Sequence, residues 1–433
     1  MPGLNVTSEI GVLRRVILHS PGPEVEAMTP KEAEADLYND IIPLAAVRAE
    51  YDTLKAFLGT VAQTFELGEL LAQAIAATGN KFEFLTALGQ LCPIKNRMDE
   101  LMAMAPAELS RAVIEGLPSL ATGLPGMLSP RSFSMRPLPN TYFMRDSAAI
   151  FRDYAISGAT AYDVRLIEPI ITRFIFTHHP DFLAQGLLFD GPRERNRFVT
   201  IEGGDIIVIG PRVLAVGISE RSSPEAVERL AVNAGKAFGE PMTVFAVLLP
   251  KERATIHLDM VFTVIDRDAA LVYAPVVTGP RRARVLRLDA RRGGIPSITE
   301  EEGLLQGLWG AGIDLEPIAC GGGDQLFQER EQWWSGANSF AFAPGKIVMY
   351  SCNVHTLEAL SKAGFAIKAA RDFLGPAATG AEAGAGPGGA GAQAVCGVDD
   401  YHRLVVGFDG IELARGGGGA RCMTLPVERA DLD

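Results

Sequence analysis

The sequence predicts an α/β fold made of repeated strand–helix modules, with a helical insertion in its N-terminal part. After Pro137, short β-like runs such as FAVLLP and KIVMYS alternate with helical segments such as SPEAVERLAVNAGKAF. Residues 45–120 differ, because their apolar residues recur at helical spacing. Apolar residues form 48% of the 433-residue chain, enough to bury a large core.

The elements follow in chain order. VLRRVILHS predicts a first strand that ends in the turn PGPE. Residues 45–120 predict an insertion of four or five helices, which leaves 1–44 and 121–433 for the catalytic α/β domain. The stretch 375–395 is almost entirely Ala, Gly and Pro, so it cannot bury enough side chain to order itself and predicts a flexible loop.

Charge and cysteine usage exclude several classes of function. The formal net charge of -12 repels phosphate backbones and anionic lipid, so we expect neither nucleic-acid nor membrane-surface binding. No window of 18 uninterrupted apolar residues predicts a membrane span, and the N-terminus has no signal-peptide pattern. The five cysteines are odd in number and widely spaced. That usage predicts a reduced cytoplasmic protein rather than a disulfide scaffold.

Cys422 and His257 are the first candidates for chemistry. Cys422 follows a run of glycines, which permit positive φ angles and a close approach of the backbone to a small substrate. The alternative is an inert buried cysteine after a turn. His257 lies in ATIHLDMVFTVID, where strand alternation predicts that it shares a face with Asp259. That pair suits a general acid/base beside a cation site, although a core histidine and an edge aspartate fit equally well.

Three further carboxylates stand at strand ends. Glu202 and Asp205, separated by two glycines, can bind a cation or orient a histidine, and they can equally form a turn. Asp146 in FMRDSA can face a site or pair with Arg145. GGGDQLF is not a dinucleotide fingerprint, and the histidines at 178, 179 and 355 lack zinc-site spacing. The sequence therefore predicts no cofactor and no metal.

The order of these motifs resembles the signature of the arginine deiminase family. The motifs are PNTYFMRD (139–146), IEGGD (201–205), VGISERSS (216–223), HLDMVFT (257–263) and ARCMTLP (420–426). SEIGVLRRVILHSPG and GGGDQLFQEREQWWSGAN add to the resemblance, which spans nearly the whole chain. It implies a five-module α/β-propeller (pentein) fold. It also implies hydrolysis of L-arginine to L-citrulline and ammonia through a covalent thiouronium on cysteine.

The resemblance also implies a role for each matching residue. Cys422 is expected to be the nucleophile, His257 the proton shuttle and Glu202 the carboxylate that orients it. Asp146 and Asp259 are expected to hold the guanidinium. The expected substrate-binding residues, most of them for the α-carboxylate, are Asn140, Arg165, Arg221, Arg421 and Asp205. Gly417 departs from relatives that carry an arginine in the glycine run, which leaves the exact guanidine open.

Other functions remain compatible with the same residues. An amidinotransferase shares the Cys/His/carboxylate chemistry but passes the amidino group to an amine. A deiminase of a related guanidine such as agmatine would not need Asn140 and Arg221. An inactive arginine-binding protein is the alternative outside catalysis. The expected partner is a small guanidine, and a homo-oligomer is left open. Because three carboxylates surround Cys422, its thiol is expected to ionise only when a guanidinium binds.

Overall fold

The computed structural model describes residues 3–120, 122–128, 133–374 and 397–432, so the predicted flexible loop at 375–395 lies outside the described residues. The strands are β1 (Leu13–Leu18), β2 (Gln63–Glu66), β3 (Leu117–Pro118), β4 (Phe133–Met135), β5 (Ala148–Phe151), β6 (Tyr154–Ser157), β7 (Leu187–Asp190), β8 (Ile206–Gly210), β9 (Val213–Ile218), β10 (Met242–Leu248), β11 (Phe262–Asp266), β12 (Ala269–Val272), β13 (Arg284–Arg291), β14 (Gly294–Glu301), β15 (Glu316–Ala319), β16 (Phe340–Ala343), β17 (Lys346–Tyr350), β18 (Ala366–Ala369), β19 (Leu404–Phe408) and β20 (Leu425–Arg429).

The helices lie between these strands. They are α1 (Pro23–Glu26), α2 (Leu44–Val61), α3 (Leu67–Thr78), α4 (Lys81–Leu88), α5 (Met98–Ala103), α6 (Pro106–Glu115), α7 (Gly123–Leu128), α8 (Met144–Ser147), α9 (Ile167–His178), α10 (Gly191–Glu194), α11 (Pro224–Phe238), α12 (Ala274–Val277), α13 (Leu304–Gly310), α14 (Gln325–Trp333), α15 (Val354–Lys362) and α16 (Ile411–Arg415).

In the described part of the chain, five sheets repeat one pattern, in which an antiparallel pair is followed by a crossover to a parallel strand. β5 and β6 pair antiparallel, and α9 leads to β7, which is parallel to β6. β8, β9 and β10 repeat this through α11. The same arrangement occurs in β11–β12–β15, β16–β17–β19 and β20–β1–β2. Parallel neighbours require such crossovers, and the helices cover the sheets. The mixed α/β architecture predicted from the sequence is confirmed.

The stretch from 45 to 120 is mainly helical but also contributes a strand. α3 packs against α6 and α9. The segment Gln63–Glu66, however, forms β2 and pairs in parallel with β1, in the register Arg15↔Gln63. α2, whose buried side chains include Phe57 and Leu58, packs against β1, β19 and α16. The sequence did not predict β2, because a four-residue strand inside a helical pattern carries little periodicity.

The predicted strand placement of His257 and Asp259 is wrong. Residues Leu258–Met260 form a 3₁₀ turn, and β11 begins only at Phe262. The backbone N–H of Leu258 donates to Asp205 Oδ1 at 2.9 Å, so a buried carboxylate takes the place of a ladder partner. Both side chains still reach one site, but a turn brings them there and not strand alternation. Within the described residues, no helix is long and apolar enough to cross a bilayer.

Candidate active site

Cys422 lies in the turn that connects α16 to β20. Gly417 in this turn has a φ of 91°, a conformation that favours glycine. The amide oxygen of Asn338 accepts hydrogen bonds from the backbone N–H groups of Arg421 and Cys422, at 3.0 and 3.1 Å. The Cys422 side chain is buried, and its Sγ lies 3.7 Å from Oδ2 of Asp259. The turn therefore fixes the sulfur beside a carboxylate.

His257 is held between two carboxylates. Its Nε2 lies 2.8 Å from Oε2 of Glu202, and its Nδ1 lies 3.5 Å from Oδ1 of Asp146. Burial opposes the imidazolium charge, but Asp146 and the hydrogen bond with Glu202 outweigh it and raise the pKa of His257 to about 9. The ring is therefore an imidazolium at neutral pH. Its Nε2–H faces Glu202 and its Nδ1–H faces Asp146.

Glu202 is anchored so that one oxygen faces His257. Its Oε1 accepts from the backbone N–H of Ala161 at 2.9 Å, and Arg221 Nη1 lies 3.4 Å from its Oε2. Burial by itself raises the pKa of Glu202, but the charge of Arg221 and the bond to His257 lower it to about 2. Glu202 is therefore ionised and lies in hydrogen-bond contact with His257.

Asp146 has one occupied and one open oxygen. Its Oδ2 accepts from Arg165 Nη1 at 2.5 Å. Its Oδ1 forms the 3.5 Å ion pair with His257 Nδ1 but has no hydrogen-bond partner among the described residues. The alternative pairing with Arg145 is not found, because Arg145 Nε points to the backbone oxygen of Arg421, 3.4 Å away. Glu168 holds the other side of Arg165, at 2.6 Å from Nη2. Arg165 is therefore held by two carboxylates at the inner end of the site.

Arg421 points away from the cavity. Its Nη1 donates to Asp259 Oδ2 at 2.7 Å, and its Nε and Nη2 donate to Glu9 at 2.9 and 3.0 Å. Its Nη2 also donates to the backbone oxygen of Ile206 at 2.8 Å. This geometry does not support substrate binding by Arg421. The Arg421 side chain instead holds Asp259 in position. Glu9 and Asn338 were not singled out from the sequence, although both lie in the motifs SEIGVLRR and WWSGAN.

Asp205 also lies behind the site and not at its surface. Its Oδ2 accepts from Ser219 Oγ at 2.6 Å, and its Oδ1 accepts from the Leu258 N–H. Ser219 Oγ in turn accepts from the backbone N–H of Arg221 at 2.9 Å. Burial raises the pKa of Asp205 to about 7. Asp205 thus connects the segment that carries Arg221 to the turn that carries His257, and its geometry does not support substrate binding.

The sulfur and the carboxylates surround a small inner cavity of about 30 Å³. An outer chamber of about 280 Å³ adjoins it, and the two share the side chains of Leu37, Arg221 and Ile256 as walls. Asn140 lines the inner cavity, but its amide nitrogen donates to the Asp36 carbonyl at 2.8 Å. The inner lining is Leu37, Asn140, Phe143, Asp146, Arg165, Arg221, Ile256, His257, Gly416, Gly417, Gly418 and Cys422.

The charges of this cavity suit a cation. Burial, followed by Asp259 and Asp146, raises the pKa of the Cys422 thiol well above its usual value. Asp146, Glu202 and His257 each bring one ligand atom within 4.8 Å of the others, a spacing that a metal ion can use. Both ring nitrogens of His257, however, face carboxylates, an arrangement that an imidazolium satisfies with its two protons. The site therefore combines a thiol, an acid and, at Asp146 Oδ1, a buried carboxylate oxygen that can still accept a hydrogen bond from a cation.

Comparisons with known proteins match this geometry to a family. Residues 35–429 match the family model described as arginine deiminase. The chain belongs to this family. The arginine deiminase of Limosilactobacillus fermentum is 32% identical over 449 residues, covering 99% of this chain and 99% of the relative. The arginine deiminase of Treponema denticola is 32% identical over 455 residues, covering 100% of both chains. The resemblance that the sequence motifs indicated is confirmed.

A solved structure resembles this chain in fold. SxtG, an amidinotransferase from Microseira wollei in the saxitoxin biosynthetic pathway, matches this family member with a TM-score of 0.52. The match covers 99% of this chain and 98% of SxtG at 12% sequence identity. At that identity the likeness concerns the fold alone, and it agrees with the mixed α/β architecture described above.

Proposed function

We propose that this chain is an arginine deiminase that hydrolyses L-arginine to L-citrulline and ammonia through a thiouronium on Cys422. The observation that carries the proposal is one buried constellation in a member of this family. The Cys422 sulfur lies 3.7 Å from Asp259, and His257 is held between Asp146 and Glu202. A hydrolase of carbon–nitrogen bonds in linear amidines needs these three parts, namely a nucleophile, an anionic cradle and an acid.

Asp146 and Asp259 are proposed to hold the guanidinium. The open Oδ1 of Asp146 can accept an N–H from the substrate, and a charge-assisted hydrogen bond of this kind is stronger than a neutral one. Asp259 lies next to the Cys422 sulfur, and a hydrogen bond from Arg421 holds its carboxylate in place. A guanidinium between the two carboxylates would place its carbon near Sγ of Cys422.

The proposed reaction has two halves. As the guanidinium binds, the Cys422 thiol loses its proton to solvent, and the thiolate adds to the guanidinium carbon. His257 then donates its proton from Nδ1 to the departing nitrogen, and ammonia leaves the tetrahedral adduct. Neutral His257 next accepts a proton from a water that attacks the thiouronium. Collapse of the second adduct breaks the carbon–sulfur bond, and the hydroxyl proton of the adduct passes to the Cys422 sulfur. L-citrulline then leaves, with Cys422 again a thiol and His257 again an imidazolium.

The α-carboxylate of the substrate is proposed to bind Arg221. Its side chain borders both cavities, and its Nε is buried without a hydrogen-bond partner among the described residues. Asn140 and Arg165 line the inner cavity, but their groups are engaged by Asp36, Asp146 and Glu168. To contact the substrate, these two side chains would have to exchange their present partners. Such a rearrangement would also enlarge the inner cavity, whose volume is about 30 Å³.

The five sheets with the shared strand pattern are proposed to be the five modules of an α/β propeller. Each contributes an antiparallel pair and one parallel strand, and β3 with β4 forms a small sixth sheet in the described part of the chain. Helices α3 to α6 are proposed as the inserted helical unit, since α3 packs against α6 and α9. In this arrangement β1 and β20 pair, so the two ends of the chain meet in one module.

Citrulline and ammonia release from purified protein, with L-arginine and no added amine, tests the proposal. Equal amounts of both products are expected from the wild type, whereas an amidinotransferase would release little ammonia. Cys422→Ala should abolish turnover, because no other group in the site can form the thiouronium. Cys352→Ala, which removes a half-buried free thiol elsewhere, is the matched control and should stay active. Residual activity of Cys422→Ala above about 1% of wild type would overturn the assignment.

A further inference from the structure

Besides Arg221, the outer chamber carries three charged side chains to which the proposed function gives no role. Its volume is about 280 Å³, and these side chains of its wall are Glu34, Glu220 and Arg253. Arg221 is shared with the inner cavity, so the chamber begins where a substrate held by its guanidinium would end. The chamber therefore faces the part of the substrate that carries the α-carbon.

Arg253 has an unusual position in this wall. It opens the 3₁₀ turn Arg253–Thr255, four residues before His257. Among the described residues, its hydrogen bond goes from Nη2 to the backbone oxygen of Leu37, at 2.8 Å. A carbonyl does not neutralise a guanidinium. Arg253 therefore brings a positive charge to the chamber. Its hydrogen-bond partner is neutral, and Glu220 and Glu34 act on it through their charges.

The two arginines of the chamber act on each other. Burial and then the charge of Arg221 lower the pKa of Arg253, which indicates that the two guanidinium groups lie in each other's field. Arg221 is itself buried, and its Nε has no hydrogen-bond partner among the described residues. Two neighbouring cations, one with an unsatisfied buried donor, form a place that an anionic group would stabilise.

We propose that Arg253 is a specificity-determining residue that binds the α-carboxylate of the substrate together with Arg221. The inference rests on the proposed function, because that function places the substrate's guanidinium in the inner cavity. Leu37 separates the two compartments, has a φ of 71°, and is held from the chamber side by Arg253. Arg253 thus reaches the mouth of the inner cavity from an element distinct from the one that carries Arg221.

The opposite charges of the chamber suit an α-amino acid. Glu34 and Glu220 lie in the same wall as the two arginines. A carboxylate on Arg221 and Arg253 would leave the α-ammonium group within the field of these glutamates. A guanidino amine without the carboxylate, such as agmatine, would leave the buried Nε of Arg221 without an acceptor and Arg253 without a directly bound anion. The chamber therefore selects an amino acid over the corresponding amine.

The test compares ligands with and without a carboxylate in Arg253→Gln. For L-arginine we expect KM to rise by about tenfold with kcat nearly unchanged, since a partly exposed charge pair is lost. The inhibition constant of agmatine, measured as a competitor of L-arginine, should change by less than about twofold. Arg253→Lys keeps the charge and should recover most of the lost affinity. Arg282→Gln, which removes an exposed arginine paired with Glu302, is the matched control.

Each other outcome overturns the inference. Equal weakening of L-arginine and agmatine would mean that Arg253 acts only by holding Leu37. Unchanged kinetics for both would mean that it touches neither. Failure of the proposed function looks different, because the wild type itself would then release no citrulline, whatever residue stands at 253.

Discussion

The protonation state of the Cys422 thiol can be tested directly by experiment. A small guanidinium such as methylguanidinium is the perturbation, since it carries the charge of the substrate without the α-carboxylate. In the free protein, Asp259 Oδ2 stands 3.7 Å from Sγ, and the pKa of the thiol is raised well above its usual value. We therefore expect the resting protein to hold a thiol at neutral pH.

The expected effect of the ligand follows from that distance. A unit charge 3.7 Å from the sulfur changes the free energy of the thiolate by about 4 kcal/mol at an effective dielectric constant of about 20. Asp259 disfavours the thiolate by this amount, less the part that Arg421 offsets. A guanidinium at a similar distance has the opposite sign, and about 4 kcal/mol corresponds to ~1,000-fold in the ratio of thiolate to thiol.

The assay is a pH titration of the ultraviolet absorbance of the thiolate, wild type minus Cys422→Ser, with and without saturating methylguanidinium. The titration should move to lower pH when the ligand binds. The rival arrangement is a resting thiolate paired with the imidazolium of His257. A free-protein thiol that titrates below the ordinary value of cysteine, and does not respond to the ligand, would refute the reasoning.

Three further substitutions test the parts around the sulfur. Asp146→Asn keeps the shape but removes charge from a buried cation site, so kcat/KM should fall by at least ~100-fold; near-wild-type kinetics would make Asp146 structural only. Glu202→Gln should lower the pKa of His257 from about 9 and move the alkaline limb of the pH–rate profile to lower pH. In the wild type, the stability contributed by His257 is fully present below its unfolded pKa of about 6.5 and is lost as pH rises through about 9. Denaturant unfolding should show this loss in the wild type, and an unmoved limb in Glu202→Gln would contradict the role of Glu202. Arg221→Ala should weaken L-arginine far more than agmatine, and a parallel loss would show that Arg221 does not bind the carboxylate.

The sequence predicted the mixed α/β architecture because strands and crossover helices each carry their own periodicity. FAVLLP and SPEAVERLAVNAGKAF became β10 and α11 nearly as expected. The sequence did not predict strand β2, because QTFE forms a strand through its pairing with β1 and has no local pattern of its own. The strand predicted at His257 failed for a related reason. A long-range bond from Asp205 to the Leu258 N–H replaces local pairing, and no local pattern encodes it.

The sequence could predict which residues lie in the site, but not where their side chains point. Motif order brought Cys422, His257 and Glu202 together correctly, since it reflects the whole fold. Motif order could not reveal that the Arg421 side chain points away from the cavity. Its guanidinium binds Glu9, which is more than 400 residues away in sequence. The pairing of Arg165 with Asp146 spans only 19 residues, but it joins a 3₁₀ turn to a separate short helix and no local pattern encodes it. Side-chain direction in a buried ionic network depends on partners that only the tertiary structure supplies.

The central claim is that Cys422 forms a covalent bond with the guanidinium carbon. Acid quenching of the wild type during turnover of L-arginine, followed by peptide mass analysis, tests it most directly. The account predicts an adduct on the peptide that contains Cys422. Its amount should be largest at steady state, and it should be absent when no substrate is supplied. An adduct on the peptide of Cys320 or Cys352, with the Cys422 peptide unmodified, would contradict the account.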